Sequence, residues 1–109
     1  MTEGKTLKDY AAEKFSDSVT ICGITVEGVT HEKVNDFEVL EITAMMSDAD
    51  ADDNERLRAI MSFGPTVYGK KQWKRIKSEL RAQNSGNLPN EVVMDFFAAT
   101  LAAVNAKNS

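Results

Sequence analysis

The sequence predicts a mainly α-helical domain of the α+β class, in which an N-terminal β-hairpin packs on a bundle of about four helices. Two patterns predict it: β-branched residues alternate with polar ones between Phe15 and Val29, and apolar residues then recur at spacings of three and four. The chain has 109 residues, enough for one hydrophobic core and too few for two. We expect a single globular domain at 15–105, a mobile arm at 1–14 and a frayed tail at 106–109.

The β-hairpin is predicted at residues 15–29. Val19, Ile21, Ile24 and Val26 are β-branched and alternate with smaller or polar residues, which is typical of strands. Cys22-Gly23 marks a turn or a bulge between two short strands. Cys22 is the one cysteine of the chain, so an internal disulfide is excluded, and its apolar neighbours predict a buried, unreactive thiol.

Four helices are predicted after the hairpin, at about 35–46, 54–63, 70–83 and 89–105. Asn35 followed by Glu38 resembles a capping box, and the first helix has a broad apolar side that includes Phe37 and Leu40. An acidic stretch then caps the second helix, through Asp52, Asp53 or Asn54. Gly64-Pro65 is expected to end this helix, because proline removes a backbone donor and disfavours helical backbone in the residue before it.

The third and fourth helices have clearer apolar stripes. Trp73, Ile76 and Leu80 follow at spacings of three and four, so they are predicted to face the core. Pro89 suits the first turn of the last helix, because a proline there loses no helical hydrogen bond. The apolar residues of that helix, from Val92 to Val104, are predicted to pack inward.

Charge is distributed unevenly along the chain. Residues 1–55 carry 4 basic and 14 acidic side chains, whereas residues 56–109 carry 9 basic and 3 acidic ones. The two halves of different copies can attract each other, or the difference can reflect two solvated faces. The residues proposed for a self-association or charged-partner surface are Asp48, Asp50, Asp52, Lys70, Lys71, Lys74, Arg75 and Lys77.

The sequence carries no pattern that predicts catalysis, a metal site or a cofactor. His31 is the one histidine and is expected in an exposed loop. The acidic stretch starting at Asp48 resembles a calcium loop, but Asp53 stands where that loop needs glycine and Ala59 where it needs glutamate. No secretory leader and no apolar run of about 20 residues is present, so a soluble intracellular protein is expected.

Three segments together resemble a known family. They are DFEVLE at 36–41, YGKKQWKRIK at 68–77 and GNLPNEV at 86–92, followed by the ending AKNS. Their order and spacing are similar to those of the short tail assembly chaperones of long-tailed, siphovirus-type bacteriophages of Gram-positive hosts. Two positions depart from the family pattern: Lys70-Lys71 replaces acidic residues, and Pro65 interrupts the second helix.

The resemblance implies a function in virion assembly. It implies that the chain binds the tape measure protein, keeps it soluble in the cytoplasm of the infected bacterium and helps tail tube protein polymerise around it. The resemblance also implies that the chain is absent from the mature virion. The opposite charges of the two halves of the chain predict a ring or spiral of several copies, and no membrane attachment is expected.

A client with long apolar stripes needs a complementary groove. The residues proposed to bind it are Met45, Met46, Met61, Trp73, Met94 and Phe97, although each methionine also fits a core position. One alternative is a small nucleic-acid-binding or regulatory protein that uses the basic helix 70–81, but the acidic chain, with a pI near 5.0, does not favour nucleic acid. Another alternative is a head–tail connector or minor tail protein.

Overall fold

The computed structural model describes residues 18–107 and is mainly helical with a two-stranded sheet, as the sequence predicts. The predicted mobile arm at 1–14 and the first three residues of the predicted hairpin lie outside the described residues. The elements in chain order are β1 Val19–Ile21, β2 Ile24–Val26, α1 His31–Val34, α2 Phe37–Met46, α3 Asp53–Tyr68, α4 Lys70–Gln83 and α5 Asn90–Lys107.

The two strands form the predicted hairpin. They pair antiparallel, with Val19 opposite Val26 and Ile21 opposite Ile24, and Cys22-Gly23 is a two-residue turn between them. Both turn residues have positive φ, 54° and 77°, as a type I′ turn requires. The prediction of a buried Cys22 is wrong, because the tip of the turn projects beyond the core and leaves this residue exposed.

Polar side chains of α4 anchor the hairpin. The Gln72 amide donates to the Glu27 carbonyl oxygen at 2.8 Å and accepts from the Glu27 N–H at 2.7 Å. The Arg75 guanidinium donates to the Thr25 carbonyl oxygen at 2.8 Å. These bonds satisfy backbone groups along the outer edge of the hairpin, which would otherwise be open to pairing with another chain.

A short helix that the sequence does not predict precedes α2. His31 is exposed as expected, but it opens α1 and does not lie in a loop. Asn35 is the C-terminal cap of α1, so its predicted capping box with Glu38 does not form. The cap of α2 is instead Asp36, whose backbone is extended and whose carboxylate accepts from the Glu38 N–H at 3.0 Å.

Part of the apolar side of α2 is exposed. Val39 is buried, but Phe37 is 73% exposed and Leu40 is 46% exposed. The broad apolar side predicted for this helix is therefore covered only in part. α2 packs mainly against α3 and α1, and only the side that meets them is covered.

α3 begins at the predicted acidic cap and runs through the glycine–proline pair. Asp52 and Glu55 form a complete capping box, in which each carboxylate accepts from the other residue's N–H, at 2.8 and 3.2 Å. The predicted helix end at Gly64-Pro65 is wrong, because α3 continues to Tyr68. Pro65 leaves the Met61 carbonyl without its helical partner, but Met61 is on the exposed side of α3, where water can bond to it.

Two glycines shape the junction between α3 and α4. Gly69 is the single residue between the helices, and its φ of 86° and ψ of 150° suit only glycine without strain. α4 then folds back, and the Trp73 indole lies against the backbone of Gly64. A Cβ atom at position 64 would overlap that indole ring, so the close approach requires glycine.

α5 closes the core. The ring centroids of Phe97 and Phe63 are 4.2 Å apart, and both side chains are buried. α5 ends at Lys107, two residues beyond the predicted end, so it includes half of the predicted frayed tail. The last two positions of that tail lie outside the described residues.

One polar pair lies inside this aromatic core. Thr100 is fully buried, and its hydroxyl donates to the Phe96 carbonyl oxygen at 2.8 Å. The Tyr68 hydroxyl lies 2.9 Å from the Thr100 hydroxyl oxygen and donates to it, since the Thr100 proton is already used. Burial raises the pKa of the Tyr68 hydroxyl above its usual value, so the group stays protonated and the pair is satisfied.

Candidate protein-binding groove

An apolar groove opens between α3, α4 and the start of α5. It consists of two adjoining cavities, of about 320 and 420 Å³, that share Leu57, Ile60 and Asn90 in their walls. The other lining residues are Met46, Asp53, Arg56, Met61, Pro65, Trp73, Lys77, Leu88, Val93 and Met94. We call this whole surface the apolar groove.

One wall of the groove is a row of side chains on α3. Leu57, Met61 and Pro65 follow each other at a spacing of four, so they share one face of the helix. Leu57 is 50% exposed and Met61 is 66% exposed. Large apolar side chains that remain this open, next to one another and to a cavity, are typical of surfaces that bind another protein.

Trp73 closes one end of the groove. It is 8% exposed and belongs to the core, as the sequence predicts, and one part of the ring also lines the groove. Tyr68 stacks on the indole with ring centroids 5.5 Å apart, and the Lys77 ammonium lies 5.6 Å from the ring centroid. A nucleic-acid base would need an open indole face for stacking, and these two neighbours leave little of one.

The rim of the groove along α4 is basic. Lys77 lines the groove, and Lys70, Lys74 and Arg81 lie on the same side of the helix, at spacings of four, three and four. Lys70, Lys74 and Arg81 are exposed, and within residues 18–107 none of them forms an ion pair. Within the described residues, the groove therefore combines an apolar interior with a row of positive charge on one side that forms no ion pair.

The structure brings together most of the residues predicted to bind a partner. The four that lie in the groove are Met46, Met61, Trp73 and Met94. Met45 lies elsewhere, in a hollow between α2 and α3. Phe97 is 1% exposed and packs on Phe63 and Trp73, so it supports the groove from within the core and offers no surface to a partner.

Sequence reasoning did not mark several of the groove residues as part of a site, among them Leu57, Pro65 and Leu88. Leu57 has the spacing of an inward stripe, Pro65 was expected to end a helix, and Leu88 lies in a polar connection. An isolated leucine after the polar run 84–87 is a signal that could have marked Leu88. For Leu57 no such signal exists, because helical spacing is the same for a buried and an exposed stripe.

The residues proposed for a charged surface fall into two separate groups. Asp48, Asp50 and Asp52 lie in the connection between α2 and α3, where the Asp48 carboxylate accepts from the Asp50 N–H at 2.9 Å. The lysines proposed for the charged surface lie on α4 and are solvent-accessible. Arg75 is engaged with the hairpin and with Glu79, whose carboxylate oxygen is 2.6 Å from the guanidinium.

The described residues offer little for metal chemistry. Within residues 18–107, no three His, Cys, Asp or Glu side chains converge in a way that could hold a metal ion. In the same part of the chain, no helix is both long and apolar enough to cross a membrane.

Comparisons with known protein families, with curated proteins and with solved structures give no match.

Proposed function

We propose that this protein is a tail assembly chaperone that holds an amphipathic helix of the tape measure protein in the apolar groove. The observation that carries the proposal is the open row of Leu57 and Met61 beside a cavity of about 320 Å³. A long helical client has apolar stripes that must be kept from water until the tail tube encloses them. A groove lined by apolar side chains is suited to that task.

The composition of the groove fits a client with many similar but unequal segments. Three methionines line it, Met46, Met61 and Met94. Methionine is unbranched and polarisable, so a surface rich in it adapts to different side chains. A chaperone that binds successive stretches of one long chain needs such tolerance more than it needs tight specificity.

Two of the segments that carry the family resemblance border this groove. Tyr68-Gly69 turns the chain into α4, and residues 86–92, which include the lining residues Leu88 and Asn90, lead into α5.

The test is co-expression of the chain with the tape measure protein of the same genome. The measurements are the soluble fraction of the client and the amount that co-purifies. We expect the wild-type chain to raise both, and Leu57→Asp to abolish the gain. Ser62→Asp is the matched control, because it adds the same charge at an exposed position of the same helix and lies outside the groove.

Two results would overturn the proposal. The first is a client whose solubility is the same with and without the chain. The second is Leu57→Asp and Ser62→Asp rescuing the client equally well. Salt-sensitive DNA or RNA binding that Lys74→Ala and Arg75→Ala weaken would then indicate a nucleic-acid-binding protein. Retention of the chain in purified virions would indicate a connector or minor tail subunit.

A further inference from the structure

α2 presents an apolar ridge that has no partner within the described chain. Phe37, Leu40 and Ala44 follow at spacings of three and four, are all exposed and share one face of the helix. Phe37 is 73% exposed, the most open of the large apolar side chains described. Phe37, Leu40 and Ala44 are called the α2 ridge below.

The charges around the α2 ridge are acidic. Glu41 lies beside Phe37 on the same side of the helix, Glu38 flanks it, and Asp36 caps the helix at the Phe37 end. α2 carries no basic side chain between its first residue and its last. The ridge is thus an amphipathic helical surface with negative charge along its flank.

The apolar groove has the opposite character. Leu57, Met61 and Pro65 form an apolar row on its α3 wall, where Asp53 and Arg56 also form an ion pair with each other. On the α4 side, Lys77 and the exposed Lys70, Lys74 and Arg81 place a row of positive charge. A helix that fills it should therefore carry apolar side chains at spacings of three and four, with carboxylates on one flank. The α2 ridge has this chemistry.

We propose that the groove of one copy receives the α2 ridge of a second copy. A chain cannot fill its own groove in this way, because α2 is held along α3 by Val39 and the ridge points away from that contact. The two surfaces differ, so the contact is heterologous and each added copy leaves one ridge and one groove open. Copies then associate head to tail, and a client helix competes for each groove.

This inference rests on the groove assigned under the proposed function, but it is tested without any client. The measurement is sedimentation velocity of the chain, 12.0 kDa as a monomer, over a concentration series at low salt. We expect species larger than the monomer. Phe37→Asp removes the ridge, Leu57→Asp removes the groove, and each should weaken association by about tenfold or more.

A mixture of the two variants provides the sharpest result. Phe37→Asp keeps an intact groove and Leu57→Asp keeps an intact ridge, so the mixture should form a heterodimer although neither variant associates alone. Both substitutions are at exposed positions, and Asp at position 37 suits the positive N-terminal end of α2. Ser62→Asp adds the same charge to α3 outside the groove and should leave association unchanged.

Three outcomes would overturn the head-to-tail contact. They are a wild-type chain that stays monomeric, a mixture that does not associate, and a Phe37→Asp variant that associates as well as the wild type. None of them affects the proposed function, because rescue of the client by the wild-type chain is measured separately. A chain that self-associates as expected but does not rescue the client would support the head-to-tail contact and contradict the proposed function.

Discussion

The two halves of α3 carry apolar residues at the same helical spacing but differ in what covers them. In the C-terminal half, Phe63, Gly64 and Tyr68 are buried beneath α4 and α5. In the N-terminal half Leu57 is 50% exposed, and Met61, just past the middle of the helix, is 66% exposed. The difference arises because Gly69 turns the chain back and the Trp73 side of α4 covers the nearer half. Burial along a helix is thus decided by its neighbours and not by its own periodicity.

The covered half should dominate the stability of the domain. Phe63→Ala removes a fully buried ring that packs on Phe97, and we expect it to lower the free energy of unfolding by about 3–5 kcal/mol. Phe37→Ala is the matched control, because that ring is 73% exposed, and its effect should stay within about 1 kcal/mol. Urea denaturation measures both. Equal losses would contradict the distinction between covered and open apolar residues.

The next largest effect is expected at Gly64. Alanine in a helix is ordinarily more stable than glycine by about 1 kcal/mol. At this position the added Cβ would overlap the Trp73 indole, so Gly64→Ala should instead destabilise the domain by about 1–3 kcal/mol. Thermal unfolding followed by circular dichroism tests the sign. Ser62→Ala, at an exposed position of the same helix, should not be destabilising.

A loss of similar size is expected at the polar pair inside the covered region. Thr100→Val keeps the shape but leaves the buried Tyr68 hydroxyl without its acceptor, which should cost about 1–3 kcal/mol. Tyr68→Phe in the same background should recover part of the loss, because it removes the unsatisfied hydroxyl. The double-mutant cycle, measured by chemical denaturation, gives the coupling between the two groups. A cycle with no coupling would show that the 2.9 Å contact contributes nothing.

The smallest effect on stability is expected in the open half. Leu57→Ala should change the free energy of unfolding by less than about 1 kcal/mol, because half of this side chain is already in water. Leu80→Ala, at a leucine that is 1% exposed, should cost about 2–5 kcal/mol under the same conditions. Comparable losses would mean that Leu57 is part of the core, and the groove would then lose its main wall.

The fold was predictable where local signals agree with each other. The bounds of α4 match the prediction, because a glycine before it, a regular apolar stripe and a polar turn after it all point the same way. The end of α3 was not predictable, since the local cost of Pro65 is outweighed by the packing of the residues on either side. Cys22 was placed wrongly for a related reason: its neighbours are apolar, but the turn holds it outside the core.

The candidate site was predictable in its residue types more than in its shape. Met46, Met61, Trp73 and Met94 meet in the groove. Phe97 has the same apolar character and is buried. Residue type alone does not distinguish the two situations, because a methionine or an aromatic ring suits a core and a binding surface equally well.

The sequence by itself determined the class of the fold, the hairpin, most helix positions and the division into an acidic and a basic half. These features depend on local periodicity, capping and composition, which a single chain displays directly. The tertiary structure alone decided that α3 continues beyond Pro65, that the Trp73 indole packs against Gly64, and that Leu57 and Phe37 remain exposed. Each depends on which elements meet in space, and contacts between residues distant in sequence leave no periodic trace in the chain.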